Sequence, residues 1–472
     1  MFMAIRKLPL HRAGCLMGGL LLLLASGRVF AAEPRLFSFA TSKGLAVKIL
    51  QDNDLPFIHA QLLIYLDGST QNYASLAITQ LAVMNMFDRS LNSPPSSSLM
   101  SLLQRQGGDF LVEQNPEFVK ISMNLLPDRL GSFSRLLKEI FTYQSFHLNR
   151  FNLSKEKFWP LYMKGRDWKK EIALMLAYQQ LIGNFYFSRG FLLQEIINGI
   201  NMAQVRSFML KTFQPDNALL VLKGKVNPYF VLGMIEKDLP SPDAQPARPR
   251  RIPPQINAAR KIFILNVNGS EMPMVYWFDV APPAADAALL PYAIGNFSLF
   301  GFPGGRIYHS ERNRFLMEGY KVDTDTIHLR DFTLFCNYLR INYGDLENFL
   351  LLVEQERKKF AARPIERKEY LDALNHYIGQ AQVRTSRFSQ DLQAEIDRFH
   401  GQGTKAAASR PGPELFQEVN FNRVLQAMDE QMGIRPRTGT RERGIVVLVG
   451  NADQILNSLK FLKTEALELP MD

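Results

Sequence analysis

The sequence predicts an α+β protein made of two related domains, each a mainly antiparallel sheet packed with helices. Three observations carry this. Strand-like runs are grouped beside amphipathic helices and do not alternate with them one by one, which is the α+β pattern. The two halves close alike: "NALLVLKGKVNPYFVLGMIEKDL" (217–239) and "RGIVVLVGNADQILNSLKFL" (443–462) each read as an apolar strand, a glycine turn and an amphipathic helix. Between them "DLPSPDAQPARPRRIPPQ" (238–255) is rich in proline and charge and lacks apolar periodicity, as a linker would. The 472 residues leave room for more than one domain at roughly 100–200 residues each.

Within the first half, "LAVKILQDN" and "FIHAQLLIYLDG" read as two strands turning at Pro56. A helix follows in "YASLAITQLAVMNMFDRS" (73–90), where Leu76, Ala77, Leu81, Val83, Met84 and Phe87 are expected to pack on the sheet. "SSSLMSLLQRQGG" (96–108) reads as a serine-capped helix stopped by two glycines. A hairpin in "DFLVEQNPEFVKISMNLL" and an amphipathic helix in "DRLGSFSRLLKEIFTYQ" come next. The second half repeats the order: strand "MPMVYWFDV", a helix around 287–300, a glycine-rich turn, strand "FTLFCNYLRINY" and helix "DLENFLLLVEQERKKFA". "GQGTKAAASRPGPE" (401–414) reads as a loop. The expected division is a signal peptide over 1–32, domains over 35–240 and 255–465, and a linker over 241–254.

Residues 1–32 have the marks of a secretory leader: Arg6, Lys7 and Arg12, then "CLMGGLLLLLA", then small residues around "VFAA". The apolar run is short for a membrane span, and membrane association is expected only if the leader stays uncleaved. The expected location is periplasmic or secreted. Cleavage would remove four basic residues and no acidic ones, lowering the formal charge from +10 to about +6. The remaining basic clusters, "ARPRR" and "QERKKFAARPIERK", lack interleaved aromatics. They read as solvated faces, and no nucleic-acid partner is expected. After cleavage Cys336 is the one cysteine, which excludes an intramolecular disulfide. His59, His147, His309, His328, His376 and His400 show no metal-ligand spacing, and no G-x-S-x-G elbow is present.

"GLAVKILQDNDLPFIHAQLLIYLDGS" followed by "SLAITQLA", and "MAQVRSFMLKTFQPDNALLVLKGKV" (202–226), resemble the pitrilysin/insulinase-type metallopeptidases, or inverzincins. The order of motifs covers nearly the whole chain beyond the leader. The resemblance implies a pitrilysin- or mitochondrial-processing-peptidase-like fold. In that family the helix opens "G-L-A-H-x-x-E-H", two imidazoles one turn apart grip a zinc ion, and the glutamate activates its water. Matching "SLA" to "GLA" puts Ile78 and Ala82 at the histidine positions and Leu81 at the glutamate. Glu156 resembles the first of the family's spaced glutamates, and Met163 falls where the third ligand belongs. None of Ile, Ala or Met supplies the hard ligation that zinc needs there, so no metal, no cofactor and no independent activity are expected.

"GGRIYHSERNRFLMEGYKV" (304–322) resembles the segment "G-G-R-L-F-x-x-V-R-E-x-x-G-L-x-Y", which contributes an Arg and a Tyr to substrate in the family. The corresponding residues are Arg312 and Tyr320. One extra residue between them, and Asn313 for Glu, leave Arg314 as an alternative to Arg312. Equally, these side chains could merely cover a strand–helix turn. The glycine pair lacks the Lys and Ser/Thr of a phosphate loop. Half-length bacterial members of the family are commonly paired, one with the zinc motif and one with the Arg/Tyr segment. The resemblance therefore implies a non-catalytic subunit of a heterodimeric zinc endopeptidase, with a zinc-motif homologue as partner and an extended peptide or unfolded protein as substrate. A stand-alone peptide-binding, chaperone or scaffold protein of the envelope is the other reading.

Overall fold

A computed structural model of the chain describes residues 35–462 and 466–469, apart from 54, 67–72, 88–109, 115–116, 143–147, 165–167, 183–196, 242–260, 284–285, 287–288, 302–303, 310–319, 330–331, 363–364, 386–420 and 433–443. The leader, the linker from 242, the helix expected at 96–108, the loop at 401–414, Arg312 and Arg314 lie outside the described residues.

The first sheet holds β1 (Arg35–Ala40), β2 (Ala46–Gln51), β3 (Ile58–Tyr65), β4 (Phe110–Gln114), β5 (Phe118–Leu125) and β6 (Ala218–Gly224), in the order β1-β2-β6-β3-β5-β4. Its helices are α1 (Tyr73–Phe87), α2 (Leu130–Phe141), α3 (Leu148–Lys164), α4 (Trp168–Ile182), α5 (Met202–Thr212) and α6 (Pro228–Asp238). The second sheet holds β7 (Lys261–Asn266), β8 (Met274–Ala281), β9 (Asp323–His328), β10 (Thr333–Arg340), β11 (Ile445–Gly450) and β12 (Ala466–Leu469), in the order β12-β7-β11-β8-β10-β9. With it go α7 (Leu289–Phe300), α8 (Arg306–His309), α9 (Tyr343–Ala362), α10 (Arg367–Thr385), α11 (Phe421–Met432) and α12 (Ala452–Ser458).

Stripped of β1 and β12, the two orders are one order, so the duplication reaches strand connectivity. Helix pairing repeats as well: α1 packs on α3 and α5 as α7 packs on α10 and α11, and α2 meets α6 as α9 meets α12. Most strand pairs are antiparallel, but both sheets are mixed. β2 runs parallel to β6, and β7 runs parallel to β11 and to β12. The parallel pairs arise because β6 and β11 return to the sheet centre only after long helical excursions, which a hairpin does not need.

Period-2 alternation decides what each sheet face does. In β3, Ile58, Ala60, Leu62 and Ile64 point into the helix-covered core with Val47, Ile49, Ile121 and Leu220. Each of the larger ones, such as Ile58 or Leu62, contributes about 1.5–3 kcal/mol on removal from water. Gly224 ends β6 at φ +146, and a Cβ there would sit 2.5 Å from the Phe57 carbonyl oxygen, so only glycine fits the turn into α6.

The opposite faces of the two sheets differ. On the first, Leu63, Phe118, Leu219 and Val221 lie beside Lys48, His59, Gln61 and Lys223, all buried. On the second, Phe263, Tyr276, Phe278, Leu334, Cys336 and Val447 form an apolar floor. Its cover comes from the other half of the chain: Ile172, Ala173, Leu176, Ala177 and Tyr178 of α4 pack onto it. Lys170 pairs with Asp325 of β9 and lies 4.7 Å from the Tyr338 ring centroid.

Candidate functional site

The helix α1 carries apolar residues around most of its circumference, and a helix of that kind belongs inside a core. It sits between the first sheet and α3 and α5. Ala77, Leu81, Ala82 and Met86 are fully buried and Phe87 nearly so, while Ile78, Val83 and Met84 are half-buried against the same core. Leu81 and Ala82, two of the three residues that the resemblance sets at the zinc motif, are wholly sequestered packing positions, and the third, Ile78, rests on the same cluster. Their aliphatic side chains offer a metal no donor, so the residues present do not fit zinc.

Where a metal would tie α1 to α3, a hydrogen bond does so. Asn85 Nδ2 donates to the Leu81 carbonyl at 2.8 Å and to Ser154 Oγ of α3 at 2.8 Å, and Ser154 Oγ in turn donates to the Phe151 carbonyl at 2.7 Å. Met163 lies on α3, but its side chain is outside the described residues; Glu156 of the same helix is exposed. Among the described residues no group of three or more His, Cys, Asp or Glu side chains is placed to hold a metal ion. His328 pairs with Thr333, and His376 stacks on Phe297 with centroids 4.4 Å apart.

In the second half the glycine pair follows α7. A Cβ on Gly305 would come 2.7 Å from the carbonyl oxygens of Leu299 and Gly301, whereas one on Gly304 would meet nothing. Arg306 then serves structure. Its Nε and Nη2 donate to the two carboxylate oxygens of Glu369 at 2.9 and 2.8 Å, and its guanidinium lies 4.0 Å from the Phe360 ring centroid. This fork fixes the turn to α10. Tyr308 is buried, its hydroxyl accepts the Val322 N–H, and burial pushes its pKa up to about 12.

Tyr320 is half-buried at the end of the segment. Its hydroxyl donates to Asp345 Oδ2 at 3.2 Å and accepts the Asn342 N–H at 3.2 Å. Asp345 is itself buried in the first turn of α9, where a carboxylate suits the helix dipole. Because Arg312 and Arg314 fall outside the described residues, the structure describes Tyr320 alone of the expected pair. Reading the sequence missed Asn85, Ser154 and Asp345. For Asn85 a weak signal existed, since with Gln80 it is one of two amides in a mostly apolar helix; for Asp345 none did, since an acidic residue near a helix start is ordinary capping composition.

Residues 199–377 match the family model of the Peptidase M16 inactive domain. No curated protein matches the chain. Among solved structures the chain is similar to a peptidase M16 inactive domain from Pseudomonas fluorescens, with 17% identity over 89% of this chain and 98% of that one and a TM-score of 0.68. It is also similar to a chain of complex III2 from Candida albicans, with 11% identity over 92% and 100% and a TM-score of 0.68. The periplasmic protease PqqL of Escherichia coli matches at 13% identity and a TM-score of 0.64, over 92% of this chain but 51% of that one.

Proposed function

We infer that this chain, a relative of the M16 peptidases that lacks their zinc motif, is the non-catalytic subunit of a two-chain zinc endopeptidase. One observation carries the reading: the peptidase fold is kept while Leu81 and Ala82, at motif positions, are committed to the core. A zinc-bearing homologue would bring the metal, its ligands and the general base. This chain would close the chamber and orient an extended peptide by adding it to a sheet edge. The length of PqqL supports pairing, because this fold takes in about half of that chain. Its periplasmic setting supports reading residues 1–32 as an export leader. Among the described residues no helix is long and apolar enough to cross a membrane.

Arg312, with Arg314 as the alternative, and Tyr320 would be this chain's contribution to the shared site. A guanidinium holds a carbonyl or carboxylate without titrating, and a phenol donates to a developing oxyanion. Tyr320 must then exchange its bond to Asp345 for one to substrate when the pair assembles. In the reconstituted pair, Tyr320→Phe is expected to lower kcat by at least tenfold with little change in KM; unchanged kinetics would remove Tyr320 from the reaction. The broader test is a pull-down of the tagged protein from its envelope extract, with a chelator-sensitive peptidase assay on the eluate. Activity that depends on both chains supports the subunit reading.

A second reading, a stand-alone binding or scaffold protein, is favoured by the engagement of the Tyr320 hydroxyl within its own chain. The likeness to a chain of complex III2 supports a scaffold role in the same way. Isolation as a silent monomer or homodimer, with no zinc-bearing homologue, would select it.

A further inference from the structure

The edge strands are guarded unequally. β4 carries Glu113, and β9 carries Asp323 and Asp325. Such charges discourage another chain from pairing with an edge. β1, "RLFSFA", has no charge after Arg35, no proline, and six consecutive register partners on β2 from Arg35↔Gln51 to Ala40↔Ala46, without a bulge. It is an undefended edge.

Beside it stands an aromatic surface. Tyr229, at the start of α6, lies edge-on to Phe37 and Phe39 with centroids 6.3 and 5.8 Å away. Tyr229 and Phe230 are 68% and 66% exposed, and Leu36 of β1 is 43% exposed. The duplication supplies a control. In α6 the cap Asn227 accepts the N–H groups of Tyr229 and Phe230; in α12 the cap Asn451 accepts that of Gln454. The residues after Asn451 are Ala452, Asp453 and Gln454, the last two exposed. The same turn is thus built with Asp-Gln in one half and Tyr-Phe in the other, so folding does not require the aromatics.

We propose that β1, with Tyr229 and Phe230, is a docking site for an extended segment of a partner protein, apolar at alternate positions and acidic at its ends. Among the described residues no strand pairs with the outer side of β1, and that backbone edge selects the occupant. Only another strand completes its ladder, whereas a bilayer would leave those N–H and C=O groups unpaired. Charge selects the ends: Arg35 opens β1 and Lys43 follows it, Lys43 Nζ donates to Ser241 Oγ, and neither cation meets a carboxylate among the described residues. This surface lies on the opposite edge of the sheet from β4 and does not depend on the peptidase reading.

The test selects a displayed library of random linear decapeptides on the purified protein. Enriched peptides are then compared on a Tyr229→Asp/Phe230→Gln variant, which copies the α12 turn and whose fold is checked by circular dichroism. The expected result is peptides with alternating apolar residues and acidic ends, binding the variant at least tenfold more weakly. N-methylation of alternate backbone nitrogens should abolish binding. If no peptide separates the two proteins, or if N-methylated peptides bind equally, the proposal fails. It also fails if the variant loses only self-association in sedimentation, or only binding to phosphatidylglycerol vesicles, which would make the occupant a second copy or a lipid surface.

Discussion

His59 is buried on the face of the first sheet opposite the helix-covered core, where its two ring nitrogens have different jobs. Nδ1 faces the Asn124 side-chain oxygen Oδ1 at 2.7 Å, and Nε2 faces the Gln61 side-chain nitrogen Nε2 at 3.3 Å. One neighbour accepts and the other donates, so this arrangement suits a neutral imidazole protonated on Nδ1. Burial holds its pKa below the ordinary 6.5; the Asn124 bond opposes the shift, and Lys120 and Lys223 add to it. The sign follows. The unfolded chain takes up this proton first, so stability is full above about pH 6.5 and is lost as the pH falls from there through the folded pKa. The wild type is therefore expected to lose more unfolding free energy than His59→Gln between pH 7 and pH 5, measured by urea titration. Parallel curves would mean that His59 titrates freely in the fold.

Among elements, α1 invites the boldest substitution. Rebuilding the motif as Ile78→His/Leu81→Glu/Ala82→His puts an imidazole and a carboxylate into positions that are fully buried. Overpacking and a buried charge together should cost at least about 3 kcal/mol. The expected product is a protein of lowered urea midpoint that retains no stoichiometric zinc by atomic absorption; a stable, zinc-loaded variant would contradict the packing described. The helix itself was legible from its apolar spacing, as were β8, β10, α9 and the two strand–glycine–helix closures, because local patterning and the glycine turns dictate them. The parallel pairing of β2 with β6, the strand β12, and the burial of Ala82 were not. Each depends on which distant segment arrives next to it, and periodicity records only that a face is apolar.

At the scale of the molecule, the two halves are not independent bodies, because α4 belongs in sequence to one and in packing to the other. Ala177→Asp is expected to destabilise the second sheet although the residue lies in the first half. A buried carboxylate there should cost about 3 kcal/mol or more, and amide hydrogen exchange should quicken in β8 and β11. Protection unchanged in those strands would show the halves to be separable. The same crossing of α4 imposes an order on biosynthesis. The helix leaves the ribosome with Ile172, Leu176 and Tyr178 already made, while the floor that receives them is completed only when β11 emerges, on the order of tens of seconds later at ordinary elongation rates. Through that interval the nascent protein carries an uncovered greasy stripe. The burden of keeping it from aggregating falls on whatever holds the growing chain, so the first half cannot finish folding before the second is made.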